Sequence, residues 1–375
     1  MAAEQTIRIA ISGYYGFHNS GDEAVLNSIL TALEDAGREH GVKIEPIVLS
    51  GDPAVTTKLY GVRAVHRMKP KDVWGAIREC DGLISGGGSL LQDVTSSKTI
   101  PYYIGIIKLA QWLRKPTFIY AQGVGPVGRK AFFPLIRNAF KRAKLITVRD
   151  AESRELLGTM GLNKEQIHVV PDPVMGIKLP DRKRLPAIHD ANGLPLVGVS
   201  VRFWKEDRSD LKQIAAPRKA LMKRQPLHLR FLPFHGEADE AASRFIMQEL
   251  GSAVPASGSH MSIAPAYEHP LDMVAEVARC DTMIGMRLHA IIYAASQRVP
   301  VLGISYDPKI DQFLHRLGEQ AIGSTDAMEP EQAADRIAAV LGNLAEWRSD
   351  HANQIDSLIA EAEQPAQLIL RSLRP

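Results

Sequence analysis

The alternation of short apolar runs with stretches of helical length constrains this chain more than any other feature. Ile7-Arg8-Ile9-Ala10-Ile11 reads as a strand, followed by a glycine-bearing loop from Ser12 to Gly21 and a helix from Asp22 to about Ala36. Val42 to Leu49 reads as a strand again. A helix around Lys71 to Glu79 leads into the strand Gly82-Leu83-Ile84, a triple-glycine turn and a further expected helix. Thr117 to Tyr120, Leu145 to Val148 and His168 to Val170 have the look of further short buried strands. Strands separated in this way specify βαβ units and a parallel sheet, hence an α/β fold.

At roughly 150 residues per domain, 375 residues predict two domains. Prolines at 171, 173, 180, 186 and 195 suppress regular structure and mark a linker over 179–195. The first domain is expected over 1–178 and the second over 196–345, where the alternation restarts at Leu196-Val197-Gly198-Val199. Residues 346–375 read as helices, with Ile355, Leu358 and Ile359 regularly spaced, and by analogy they pack back on the first domain. The halves echo one another. Glu79-Cys80-Asp81-Gly82-Leu83-Ile84 matches Arg279-Cys280-Asp281-Thr282-Met283-Ile284, and each precedes a proline-led strand, at Pro116 and at Pro300. The expectation is two doubly wound, Rossmann-like domains facing a cleft, with ligands beyond the carboxyl ends of the strands.

Composition removes several classes. With 45% hydrophobic and 23% charged residues the chain is ordinary globular material. A net charge of +3 is too mild to argue for nucleic acid, though it suits an anionic ligand if the positive charge is focused. Two distant cysteines make no disulfide framework, and no Cys/His cluster has zinc spacing, so a reducing compartment is expected. Met1 to Thr6 lacks the features of a signal peptide. The longest nearly apolar run, Ile100 to Leu113 with Lys108 inside it, falls short of the ~20 residues that span a bilayer. A cytoplasmic protein is expected. Ser257-Gly258-Ser259-His260-Met261 reads either as a cloning scar replacing a loop or as natural sequence, and is assigned no function.

Five loops could carry chemistry. Gly86-Gly87-Gly88-Ser89 follows a strand and directly precedes an expected helix start, which would suit an anion; the alternative is a tight packing turn. Tyr14, Tyr15, Phe17 and His18 crowd the loop before Asn19-Ser20-Gly21-Asp22-Glu23, a composition that suits a sugar-binding rim or, more plainly, a helix cap. Arg149, at a strand end beside Asp150 and Glu152, is either a surface ion pair or a donor to a carboxylate or phosphate. Arg287-Leu288-His289 is the most informative segment. In extended backbone Arg287 and His289 point to one side, a cation beside a general acid/base; otherwise His289 caps or packs its helix. Lys309, after Tyr306-Asp307-Pro308, either snorkels to solvent or adds a third cation. Lys130 to Lys144 reads first as a core helix with a solvated basic face, and second as a contact for a lipid surface or a diphosphate.

In this order the motifs resemble the polysaccharide pyruvyltransferase family, from Ile9 to about Phe313. The likeness rests on Asn19 to Glu23, Gly86 to Ser89, Gln122-Gly123-Val124-Gly125-Pro126, Val148-Arg149-Asp150, Gly285 to Ala290, and Pro300 to Lys309. It is similar to the bacterial branch that builds pyruvate ketals on the cell-wall glycans anchoring S-layer proteins. The resemblance implies a GT-B-like fold with phosphoenolpyruvate as donor and no cofactor. The implied acceptor is an N-acetylmannosamine residue of a lipid-diphosphate-linked glycan, and the implied product a 4,6-ketal. Arg149, Arg287, Leu288, Lys309, Gly87, Gly88 and Ser89 would bind the donor. His289 would do acid/base work with Arg149 and Arg287 beside it, and Tyr14, Tyr15, Asn19 and Asp22 would bind the acceptor. Peripheral contact with the inner membrane face would follow from a lipid-linked acceptor.

The chemistry needs a proton shuttle near C3 of the donor and cations on its carboxylate and phosphate, but no metal. Consistently, the chain has no Asp-x-Asp pair and no His-rich ligand set. Two rivals stay open: a GT-B glycosyltransferase using a nucleotide sugar, and a non-catalytic glycan- or phosphate-binding protein.

Overall fold

Ile9, Ala10 and Ile11 are fully buried, which makes their strand central. In the computed structural model, which describes residues 5–94, 96–179, 193–251 and 253–373, that strand is β1 (Gln5–Ser12). The chain divides into one unit of Met1–Ile177 with Leu358–Pro375, and a second of Lys178–Ser357. Most of the proline-rich segment, residues 180–192, lies outside the described residues.

The first unit continues with β2 (Val42–Ser50), β3 (Arg63–His66), β4 (Gly82–Gly86), β5 (Thr117–Gln122), β6 (Leu145–Val148) and β7 (Ile167–Val169). They form one sheet in the order β3-β2-β1-β4-β5-β6-β7, with every pairing parallel. The chain winds outward from β1 on one side and then from β4 on the other, so the topological switch point lies between these two strands. The helix Ser20–His40 follows β1 because Asn19 caps it, its side chain accepting from the Gly21 N–H, and because Asp22 and Glu23 sit at the positive end of its dipole. At its far end Gly41 takes the left-handed conformation at φ 64°. Residues from helix Leu358 onward join this unit, with Ala366, Ile369 and Leu370 fully buried and Leu373 against Gly82.

The second unit holds β8 (Leu196–Ser200), β9 (His228–Phe231), β10 (His260–Ile263), β11 (Thr282–Gly285) and β12 (Val301–Gly303). Its sheet is again wholly parallel, in the order β10-β9-β8-β11-β12, and switches between β8 and β11. Each unit has its own apolar core. His260 and Met261 pair with His228 and Leu229 in the sheet, so the segment after Ser257 is built into the fold.

The sequence echo is a structural repeat. Asp81 and Asp281 each precede the strand beside the central one, accepting from the backbone N–H of Arg8 at 2.8 Å and of Leu196 at 2.7 Å. Cys80 and Cys280 are both buried, and burial raises both thiols above their ordinary pKa. The structure differs from the sequence reading in several places, among them β9 and β10, which were not anticipated. β3 and the helix Pro53–Tyr60 were not anticipated. No helix follows the glycine triplet directly: Leu91 instead bridges to Val124, and the next helix, Thr99–Trp112, starts ten residues after Ser89. Helix Leu288–Ser296 begins before His289 rather than after it.

Candidate functional site

In open parallel sheets ligands sit beyond the carboxyl ends of the strands at the switch point. In the first unit that point is bounded by the loops after β1 and β4, and the glycine triplet forms the second of them. Gly87 and Gly88 both have positive φ, 65° and 70°, in succession. A Cβ on Gly87 would lie 1.9 Å from the Val25 methyl, so this glycine admits the helix Ser20–His40. One on Gly88 would lie 2.8 Å from the Asp22 carboxylate. The absence of a directly following helix removes the dipole expected to hold an anion at the triplet; the loop is instead zipped to its neighbour by the Gly123 and Gly125 N–H groups, which donate to Gly88 and Leu91.

Arg149 leaves the end of β6 and lies over Gly123, where a Cβ would come within 2.9 Å of its Nε. Its guanidinium is 7% exposed and donates to the Ser89 hydroxyl at 2.7 Å. Asp172 at 3.4 Å and Asp150 at 3.6 Å complete its surroundings. Two residues expected at a donor site are thus in contact, and Asp172, absent from the sequence reading, joins them.

The loop after β1 corrects the expected rim. Tyr15 is buried, and its hydroxyl donates to the Gly86 carbonyl at 2.8 Å. Burial, and then the Asp22 carboxylate, hold its pKa well above the usual value. It is a strut beneath the glycine loop, not a surface contact, because a ring this size fills the space under a loop that lacks side chains of its own. Asn19 likewise spends its side chain on capping. Tyr14 is exposed and stacks on Phe17 with centroids 4.2 Å apart. Asp22 is half-buried at the helix start.

Arg67, after β3, went unnoticed in the sequence. It is 8% exposed and among the described residues makes no ion pair. It donates to the Gly13 carbonyl at 2.9 Å and the Tyr103 hydroxyl at 3.2 Å, and faces the rings of Tyr102, Tyr103 and Phe17. It pins the β1 loop to the helix Thr99–Trp112 through hydrogen bonds and cation–π contacts. Burial pushes the Tyr103 phenol up to about 12.

In the second unit the switch point is bounded by the loops after β8 and β11. Arg287 has extended backbone, φ −77° and ψ 128°, and caps the helix that starts at Leu288. Its carbonyl accepts from the Ala290 N–H at 3.0 Å, closing the first turn, and Ala290 to Ala295 enter the core. His289 therefore stands in that first turn, and the strand-like alignment expected for Arg287 and His289 does not hold. The pull of the apolar helix decides this. The Arg287 guanidinium, 20% exposed, is gripped on two sides by the buried Asp239: Nε reaches one oxygen at 3.0 Å and an NH2 group the other. Asp239 also accepts from the His235 N–H at 2.9 Å. His289 is half-buried, with its ring edge-on to Tyr293 at 6.5 Å. Lys309 lies in the first turn of helix Pro308–Leu317, directly after β12, its N–H donating to the capping Asp307 at 3.0 Å.

Across the same switch point, the residue two after β8 is Arg202, a second cation the sequence did not single out. Its guanidinium faces Trp204 at 5.5 Å and Tyr306 at 5.4 Å, and donates to the Tyr306 hydroxyl at 3.4 Å; among the described residues it has no carboxylate partner. Its one readable signal was position, two residues beyond a buried strand. Among the described residues no group of three or more His, Cys, Asp or Glu is placed to hold a metal ion.

Solved structures share this architecture at low identity. A glycosyltransferase from Rickettsia africae ESF-5 aligns with a TM-score of 0.66 at 11% identity over 99% of each chain. Anabaena HepE in complex with UDP and glucose gives 0.60 at 14%, over 98% of this chain and 99% of that one. The UDP-GlcNAc 2-epimerase from Neisseria meningitidis bound to UDP-GlcNAc gives 0.58 at 12%, over 98% and 99%. At such identities the likeness is one of fold, the two-unit α/β architecture of GT-B enzymes. No curated protein matches the sequence. The family model for polysaccharide pyruvyl transferases matches residues 19–308, which takes in the glycine triplet, Arg149, Arg202 and Arg287 to His289. By that match the chain is an enzyme, and it belongs to the polysaccharide pyruvyl transferase family.

Proposed function

We propose that this enzyme moves the pyruvyl group of phosphoenolpyruvate onto an N-acetylmannosamine residue of a lipid-diphosphate-linked cell-wall glycan precursor, of the kind that anchors S-layer proteins. A 4,6-ketal and inorganic phosphate are the products. The reaction takes place in the cytoplasm, at the inner membrane face. The observation that carries this reading is that each unit fixes an arginine at a strand mouth: Arg149 against Ser89, and Arg287 on Asp239. A fixed guanidinium suits a carboxylate or phosphate because its donor geometry is set before the anion arrives.

Protonation at C3 of the enol makes C2 electrophilic. One sugar hydroxyl adds to C2, and the C2–O bond to phosphate breaks. The neighbouring hydroxyl then closes the ketal. The two hydroxyl protons end on C3 and on the departing phosphate. His289 stays assigned the proton transfers on its own position in the first turn of its helix, not as one of an aligned pair with Arg287. Arg149, Arg287 and Lys309 are assigned the donor's negative charges, and Gly87, Gly88 and Ser89 are assigned to donor binding. Tyr14 and Asp22 stay assigned to the acceptor, while Tyr15 and Asn19 act by shaping the loop.

The test is incubation with phosphoenolpyruvate and a β-N-acetylmannosaminyl acceptor. The expected result is phosphate release matched by a sugar mass gain of pyruvate less water. Saturation by a nucleotide sugar, with no response to phosphoenolpyruvate, would overturn the proposal in favour of glycosyl transfer.

A further inference from the structure

From Val94 to Arg149 the sequence carries eleven Lys and Arg and no Asp or Glu, although the whole chain nets only +3. The positive charge is therefore concentrated in one part of the first unit, and the remainder is net negative. Three helices meet there. Pro70–Glu79, Thr99–Trp112 and Phe133–Phe140 share one side of the sheet, with Val73, Ile77, Ile107, Ile136 and Phe140 in a single core cluster. Their outer faces carry lysines, arginines and aromatic rings, and the only acids on them are Asp72 and Glu79 of the first helix, the latter paired with Arg63. Lys71, Trp74 and Arg78 follow one another at helical spacing on the first, all exposed; Lys108 and Trp112 do so on the second, the lysine half-buried. Arg114, Leu135 and Arg142 are exposed beside them. Trp112 is 70% exposed and Trp74 38%, yet their rings lie only 5.5 Å apart. Lys108 reaches the Asn138 carbonyl at 3.0 Å, tying the second helix to the third.

Two adjacent indoles in water among cations are costly for a free surface and suit the interface of a bilayer, where the ring meets acyl chains and the cations meet headgroups. We propose that this helical face docks on an anionic lipid bilayer. The indoles stand on the outer ridges of helices and not in a groove, which disfavours single-stranded nucleic acid, whose binders track a groove. Trp112 closes its helix shortly before β5 begins at Thr117, so it lies toward the amino ends of the strands. Docking there leaves the carboxyl edge, with Ser89 and Arg149, open. The inference stands on charge and exposure alone and does not depend on the donor.

The full chain is mixed with vesicles of phosphatidylcholine alone or with added phosphatidylglycerol, and binding is read by co-sedimentation and tryptophan emission. Binding to the anionic vesicles only, with a blue shift, is expected. Trp74→Ala/Trp112→Ala should abolish the shift and weaken binding at least about tenfold, and Arg114→Ala/Arg142→Ala should weaken it at least about tenfold. Both variants should melt with the parent protein. Equal binding to neutral vesicles, or vesicle binding unchanged in the tryptophan variant, would overturn the proposal. So would tighter binding to a single-stranded oligonucleotide than to vesicles, or burial of the indoles in a dimer seen by sedimentation. Ketal formation on a soluble acceptor by the tryptophan variant keeps this result separate from the donor chemistry.

Discussion

Asp239 is 1% exposed and holds Arg287 by both ends of its guanidinium fork, so the cation's position is set by an acid that meets no substrate. Asp239→Asn keeps the shape and removes the charge. The expected outcome is a donor KM raised about tenfold or more with kcat little changed, since one charge-assisted bond is worth about 1.5–3 kcal/mol. His289→Ala should do the reverse, lowering kcat at least about 100-fold with donor KM nearly constant. Steady-state kinetics on the two variants separates positioning from proton transfer, and equal effects on both constants in both would dissolve the distinction. Tyr103 supplies a pH test. Burial raises its phenol to about 12 from an ordinary value of 10. The unfolded chain therefore releases the proton first, and stability present below pH ~10 is lost as pH rises toward about 12. For so buried a group this amounts to about 2–3 kcal/mol. Denaturant midpoints at rising alkaline pH should fall less steeply in Tyr103→Phe. Arg287 and His289 were legible in the sequence, whereas Asp239, Arg67 and Tyr103 were not. Asp239 lies 48 residues from Arg287, and Arg67 is buried only because a loop, a helix and an edge strand converge on it.

Elements explain why some readings of the sequence succeed. β4, β6 and β11 are short, mostly apolar and almost wholly buried, and their positions in the sequence could be read closely. β3 is an edge strand of half-buried and exposed residues, Arg-Ala-Val-His, and has no such signature. The glycine triplet was recognised, but its partner was not. Three glycines in a row announce close approach without saying whether a ligand or a helix makes it, and at Gly87 it is the helix carrying Val25. Gly87→Ala should accordingly destabilise by about 2–4 kcal/mol, the sum of left-handed backbone strain and overpacking. Gly41→Ala, at a similar φ of 64° but with nothing within 4 Å of the added methyl, should cost about 1–2 kcal/mol. Thermal melting of the pair separates the two contributions, and equal losses would show that backbone strain alone governs both.

Across the molecule, the two units repeat one plan: a central strand, a neighbour introduced by Cys-Asp, and a switch point between them. That repetition was readable because Cys-Asp and an Ile three residues after the Asp recur before a proline-led strand in each half, whereas the reach of the last helix was foreseen only by analogy. Ala352–Leu373 starts in the second unit and ends in the first. Ending the chain at Ser357 would strip Ile369 and Leu370, both fully buried, from the first unit. At about 1.5–3 kcal/mol for each large apolar side chain, that unit should melt well below the second in a calorimeter. Melting at the parental temperature would mean the helix is dispensable to it. The same feature orders events on the ribosome. Residues before Ile177 emerge early but wait with an open flank while some 180 later residues are made and the second unit collapses. The half synthesised first is thus completed last, and any stall in translation before Leu358 leaves an unfinished, sticky sheet for chaperones to shield.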